Sequence, residues 1–405
     1  MKKSRLSYTF ESEESAGNVG TKVLMVTGVY PPDINGAVLQ ATLIADSLSD
    51  SYDFKFITSP LKLSSHVGIH PHVFRILDFG SPFRILKTLI DLVFFLGRHQ
   101  FQVVHFHGFS RKVFIIAFLG KVFGAKLILK HSSFGIDDIH TLISRGLFYK
   151  VLLSAFDAFV APASVFLVKN KGFTSRFYLI PNGVDTTRFR PLEDSRQLRR
   201  QRQELNLASS SFVVLGVGHF SNEKRLTDII EAVMVIPQQV RPFSLVLIGS
   251  RDPSHFEVAR EALTKLESLI RRAESFIDIR LIDRTANIER YMQVANVYVL
   301  SSEREGMPNS LLEAMACGVP VVSSLLPGIT DWIIRDGQEG LLYKPGEISE
   351  LAAKVNTFYC SDEKSDLLGS AGRDRIINMY SANATVEAYR GLYKSLTSKP
   401  TSVGV

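Results

Sequence analysis

Short runs of β-branched and apolar residues alternate along this chain with stretches of helical period, and they do so in two series. The first comprises Lys22–Thr27, Phe54–Thr58, Gln102–Phe106, Lys126–Lys130, Ala158–Ala161 and Phe177–Ile180. The second comprises Phe212–Val217, Ser244–Ile248, Phe276–Leu281, Val297–Leu300 and Val319–Ser323. Strands separated by helices return parallel to one another, so the pattern excludes an all-β sandwich and a helix bundle. Between the series, residues 181–206 are rich first in turn formers and then in charge, and read as a linker leading into a second unit. The expected fold is α/β, with two Rossmann-like doubly wound domains facing each other across a cleft. Residues 1–20 read as a flexible N-terminal tail, 21–185 as the first domain and 186–378 as the second, with a C-terminal helix at about 379–400 packing back on the first. A length of 405 residues suits two such domains. In doubly wound sheets, ligands bind outside the carboxyl ends of the strands.

The net charge of +7 is unevenly placed. Residues 1–185 carry 20 Lys and Arg against 13 Asp and Glu, whereas residues 186–405 carry 27 of each sign. An anionic partner is therefore expected for the first half alone. Residues 92–136 hold Arg98, Arg111, Lys112, Lys121, Lys126 and Lys130 with no acidic residue, interleaved with Phe109, Phe114, Phe118 and Phe123. A basic amphipathic helix of this kind, within residues 98–130, reads as a contact for an anionic membrane surface. The alternative is an ordinary helix with an apolar core face and a solvated basic one. No nucleic-acid recognition motif is present, and no nucleic acid is expected as a partner. Cys317 and Cys360 have no metal or disulfide spacing, which favours a reducing cytoplasm. The apolar windows 85–96 and 113–119 fall short of the ~20 residues that span a bilayer. The expected location is cytoplasmic, with peripheral attachment to the inner face of the membrane left open.

The most informative stretch is SSEREGMPNSLLEAMACGVPVVSSLLPGITD, residues 301–331. Its strand runs into a loop holding Glu305, and a helix carrying Glu313 follows, with seven residues between the two glutamates. Both carboxylates can reach one cleft, where each accepts hydrogen bonds from paired sugar hydroxyls. The helix N-terminus beside them offers N–H groups and a positive dipole end to a phosphate. Pro308 has no N–H, which leaves Gly306 and Met307 as backbone donors.

In its full context, EGMPNSLLEAMACGVPVV resembles the signature of the retaining glycosyltransferases of family 4 (glycosyl transferases group 1), whose GT-B fold pairs two Rossmann-like domains. Five further segments match in order: TGVYPPDINGAVLQ, LILKHSSFG, LIPNGVDTTRF, LGVGHFSNEKRLTDIIEA and DGQEGLLYKPGE. The resemblance implies transfer of a sugar from a nucleotide-diphosphate donor, UDP- or GDP-linked and used as co-substrate, to a hydroxyl of a glycan or lipid-linked acceptor. No separate cofactor is implied, and no metal, in keeping with the lack of an Asp-x-Asp motif. Cell-surface polysaccharide, lipopolysaccharide and glycolipid synthesis are the settings it suggests.

Residue by residue, the resemblance places Lys224 on the donor diphosphate, Glu313 on the ribose hydroxyls and Glu305 on the donor sugar, with Gly306 and Met307 adding backbone contacts. His131 lies near the reacting carbon, Gly36 lets the backbone approach the phosphates, and Arg284 stands near the base. Three positions depart from the pattern. His219 stands where the family has an arginine, and an imidazole with an ordinary pKa near ~6.5 is only partly charged at neutral pH. Arg225, next to Lys224, is a candidate to compensate. Ala37 replaces the second loop glycine, and Asp331 replaces a glutamate. Donor affinity is what these changes put at stake. Two alternatives therefore stand beside a transferase: a GT-B nucleotide-sugar epimerase, and a catalytically weakened relative that binds nucleotide or glycan. His105 and His107, in VVHFHGF, read equally as site residues or as the closing of a strand end.

Overall fold

A computed structural model describes residues 20–31, 35–60, 72–110, 112–168, 173, 176–237, 241–253 and 257–398. The tail before residue 20, Arg111 and most of the loop after Pro60 lie outside the described residues. Each series forms its own parallel sheet. In the first lobe, β1 (Thr21–Val26), β2 (Tyr52–Ile57), β3 (Val73–Phe74), β4 (Val103–His107), β5 (Lys126–Lys130), β6 (Ala158–Ala161) and β7 (Phe177–Leu179) take the order β3-β2-β1-β4-β5-β6-β7. In the second, β8 (Phe212–Val217), β9 (Phe243–Ile248), β10 (Asp278–Ile282), β11 (Val297–Leu300), β12 (Val321–Ser324) and β13 (Leu341–Tyr343) take the order β10-β9-β8-β11-β12-β13. The strands β3 and β13 are too short to show alternation in sequence. The run from Val319 begins as a strand only at Val321, because Pro320 has no N–H for a ladder.

Helices cover both faces of each sheet, which is why strands such as β4 and β9 are buried along their whole length. Two apolar clusters flank each sheet, and a smaller one, with Val165 and Phe166 against Leu326 and Ile329, joins the lobes. The stripe Leu226, Ile229, Ile230 and Val233 is buried core of the helix Leu226–Met234. The chain crosses between lobes twice. Val184 pairs with Ser381 at those crossings, Val184 N donating to Tyr380 O at 2.9 Å and Ala382 N to Val184 O at 2.8 Å. Beyond them, helix Ala382–Thr397 returns to the first lobe and buries Val386, Tyr389, Leu392 and Tyr393 against its sheet.

Of the basic segment 98–130, Arg98 and Lys126 face solvent, but other lysines are drawn inward. Lys130 is only 4% exposed, and Lys112 Nζ turns in to donate to Ser59 Oγ at 2.6 Å. Lys121 and Lys126 share one carboxylate, Asp157, at 2.5 and 3.3 Å. What the outer face does present is apolar. Phe83, Leu86, Ile90 and Phe94 recur at helical spacing on Pro82–His99, beside Phe118 and Val122 of Val113–Val122 and Leu147, Phe148 and Val151 of Leu147–Ser154, all exposed. Phe114 stacks within 5.0 Å of Phe148 and so links two of these helices.

Candidate active site

In both sheets the strand order reverses beside the first strand of the series, between β1 and β4 and between β8 and β11, and the loops leaving these strands meet. They enclose a cavity of about 810 Å³, within the ~300–1,000 Å³ usual for small-ligand sites. Gly36, His131, His219, Lys224, Arg284, Glu305, Gly306, Met307 and Glu313 all line it. Arg225 does not. Its backbone takes a left-handed turn with φ 49°, and its guanidinium pairs with Asp228 and Glu303 away from the cavity, so it does not stand in for the missing arginine.

On the second lobe's wall, Lys224 Nζ donates to Glu305 Oε1 at 2.6 Å, and Ser302 Oγ donates to the same oxygen at 2.7 Å. The loops carrying the pair are tied together, Ser301 Oγ donating to Lys224 O at 2.7 Å and Glu303 N to Glu223 O at 2.8 Å. Burial alone would lower the Lys224 pKa, but the Glu305 carboxylate outweighs it and holds the ammonium above its ordinary range. The pair is thus a charged, pre-positioned unit in which Lys224 can turn to an arriving anion. Helix Asn309–Ala316 begins directly after it. Glu313, on the second turn, has no hydrogen-bond partner among the described residues, and burial pushes its carboxyl up to about 7 against the pull of Arg188. Arg188 is fixed by Glu289 at 2.7 Å.

His219 meets Glu257, Nε2 to Oε2 at 3.3 Å, in the same wall. Burial raises the Glu257 pKa, with Lys224 and Arg284 pulling it down and Glu223 and Glu305 pushing it up. Glu257 does not announce itself in sequence, and Arg188 falls inside LIPNGVDTTRF without being given a role there.

The lobes touch where glycine is required. A Cβ on Gly306 would lie 2.1 Å from Ser132 O of the first lobe; within the second lobe, one on Gly249 would lie 1.8 Å from Gly218 O, next to His219. Phe134 N donates to Glu305 O at 3.3 Å beside this contact. Gly36 opens a helix capped by Asn35 Oδ1, which accepts from Val38 N at 3.0 Å, and its carbonyl accepts from Asn309 Nδ2 at 3.1 Å.

His131 is fully buried, its ring 5.5 Å from Phe166 and nearly parallel to it. Nδ1 lies 2.7 Å from the Asp137 carbonyl oxygen. A carbonyl only accepts, so Nδ1 carries the proton and Nε2 is left as a bare lone pair with no protein partner. Burial holds the ring's pKa down despite Asp137. Lys130 and His107, next along the first wall, also line the cavity. Among the described residues, no group of three or more His, Cys, Asp or Glu is arranged to hold a metal ion, and no helix is long and apolar enough to cross a membrane.

Residues 198–375 match the family model described as glycosyl transferases group 1. The N-acetyl-alpha-D-glucosaminyl L-malate synthase of Bacillus anthracis is 22% identical over 382 residues, 89% of this chain and 94% of that protein. The capsular polysaccharide biosynthesis glycosyltransferase CapM of Staphylococcus aureus is 23% identical over 275 residues, 68% of this chain and 66% of that one. Several other curated relatives are matched over about half of their own length. Among solved structures, Anabaena HepE in complex with UDP and glucose superposes with a TM-score of 0.73 at 19% identity, over 93% of this chain and 100% of that one. The fold is GT-B.

Proposed function

Residues 198–375 belong to the glycosyl transferases group 1, and from that premise we propose that the protein transfers a sugar from a nucleotide-diphosphate donor to a hydroxyl of a glycan or lipid-linked acceptor. The observation that carries the reading is the Lys224–Glu305 pair beside the N-terminus of helix Asn309–Ala316, on a cavity wall opposite His131. As the bond from the sugar's anomeric carbon to the β-phosphate oxygen breaks, negative charge develops on that oxygen. Lys224 and the helix N-terminus stabilise it there without rearrangement and supply this charge without a metal ion. Glu305 and Glu313 accept hydrogen bonds from donor hydroxyls. With retention of configuration, the acceptor oxygen bonds to the anomeric carbon from the side the diphosphate leaves. Its proton passes to the departing phosphate oxygen, so no protein base is used.

UDP- and GDP-sugars, screened by thermal shift and then incubated with acceptor extracts, test this reading. A donor that raises the melting temperature and yields a glycosylated product supports it. Epimerised donor without transfer would favour the epimerase, and binding without turnover the weakened relative. The relationship to CapM favours a surface polysaccharide as the setting.

The exposed Phe83, Phe94, Phe118 and Phe148, with Arg84, Arg98 and Lys150 exposed nearby, favour docking of the first lobe on an anionic membrane by shallow apolar insertion. Phe94→Ser with Phe118→Ser should abolish co-sedimentation with phosphatidylglycerol vesicles. Raising the salt should weaken the wild type only slightly, because screening acts on charges and not on buried rings. Binding that vanishes in salt would instead restore the electrostatic reading.

A further inference from the structure

Sheet register brings four polar side chains into one row at the carboxyl edge of the first lobe. β1 and β2 pair Val26 with Ile57, β1 and β4 pair Val26 with Phe106, and β4 and β5 pair His107 with Lys130. The next residues in line are therefore Thr58, Thr27, His107 and Lys130, side by side on the sheet face covered by helix Ala382–Thr397. His105 sits one pleat below, its ring 4.2 Å from that of His107. All are buried: Thr58 0%, Thr27 2%, His105 0%, His107 6% and Lys130 4% exposed.

The row is unsatisfied. Among the described residues, both ring nitrogens of His107, Nε2 of His105, Oγ1 of Thr27, Oγ1 of Thr58 and Oη of Tyr389 have no hydrogen-bond partner. Buried polar atoms almost always find one, so a cluster of six orphans needs a cause. Lys130 adds a cation without a counter-ion. Its Nζ donates to Asn182 Oδ1 at 2.7 Å and lies 5.8 Å from the centre of the Tyr389 ring, and no carboxylate pairs with it. Burial draws its pKa down to about 7. Lys224 across the cleft has Glu305; Lys130 has nothing of that kind. Yet Lys130 and His107 line the cavity, so a ligand in the cleft can reach them.

We propose that this floor of the first lobe is a subsite for an oxyanion of the acceptor, a phosphate or a carboxylate, with Lys130 as its cation, His107 as a neutral partner and Thr27 beside them in the row. The assignment to the acceptor rests on the transferase reading, in which the donor's diphosphate is held on the opposite wall by Lys224. An oxyanion here neutralises a buried lysine that lacks a carboxylate among the described residues, and uses polar atoms left idle beside it. It also anchors the acceptor on the lobe across from the donor.

The test is calorimetric titration of inorganic phosphate and, separately, of malonate into the full chain saturated with UDP or GDP, at constant ionic strength. Phosphate binding points to a phosphorylated acceptor and malonate binding to a carboxylated one. Expected is saturable binding of one of them, weakened at least tenfold in Lys130→Met, while nucleotide affinity changes less than twofold. The retained nucleotide binding shows that the variant is folded, and Thr27→Val, nearly isosteric, should weaken the anion more modestly. Absence of anion binding by the nucleotide-saturated wild type overturns the proposal. So does undiminished binding in Lys130→Met, or an anion that is displaced by the nucleotide. If the wild type binds no nucleotide at all, the transferase reading falls by itself, and the same comparison of wild type and Lys130→Met on the free protein still decides whether the anion site exists.

Discussion

The two walls of the cleft solve the same problem in opposite ways. The second lobe presents groups already paired with carboxylates, Lys224 with Glu305, His219 with Glu257 and Arg188 with Glu289. The first presents Lys130, bonded to Asn182 but to no carboxylate, beside His107 and Thr27, whose side chains have no hydrogen-bond partner among the described residues. A matched pair costs less to bury than a lone charge and can exchange partners when a ligand arrives, whereas an unmatched cation stays costly until something binds. The contrast suggests that the donor wall is organised before binding, while the acceptor wall is completed by its ligand.

The largest expected effect breaks the matched wall. Lys224→Met and Glu305→Gln should each lower kcat/KM for donor about 100- to 1,000-fold, measured by nucleoside diphosphate release. Because the two act as one unit, the double variant should lose far less than the product of the single losses. Fully multiplicative losses would mean that lysine and glutamate act independently. A smaller effect tests whether the walls must meet. Gly306→Ala puts a methyl group 2.1 Å from Ser132 O and should part the lobes. A displacement of about 1 Å costs roughly 100-fold in transfer, and small-angle scattering should report a larger radius of gyration. An unchanged rate would show that the close approach is dispensable.

The smallest effect concerns Glu313, the one unpaired carboxylate assigned to the donor wall. Its folded pKa of about 7 lies above the ordinary 4.5, so the folded state holds the proton more tightly. That stabilisation is complete below the unfolded value and is lost as pH rises through about 7. Glu313→Gln should therefore melt with the wild type near pH 4.5 and a few degrees above it at pH 8, read by thermal denaturation. Equal melting temperatures at both ends would mean that Glu313 is solvated after all.

This division also explains what could be seen in the chain beforehand. Both doubly wound sheets were legible because alternation is a local property, and the residues from Glu305 to Glu313 were legible because one loop and one helix carry them. On the first wall Gly36 and His131 were legible too, but the polar row beside them was not. Thr27, Thr58, His107 and Lys130 each close a different apolar run, and only the register of four strands makes them neighbours. Long-range pairing likewise hid the fate of the basic segment, since Asp157, the one carboxylate that Lys121 and Lys126 share, comes some thirty residues later than either. Arg225 failed for a local reason: its left-handed backbone turns the side chain away from the neighbour it was expected to assist.

The paired crossings at Val184 and Ser381 have a mechanical consequence. The second lobe hangs from the first by two chain segments, and these are bonded to each other on both sides of Val184. Both links between the lobes are thereby gathered at one place, so rotation about it would change the separation of Lys224 and His131 while leaving the two Val184 hydrogen bonds intact. Residues farthest from that place would travel most.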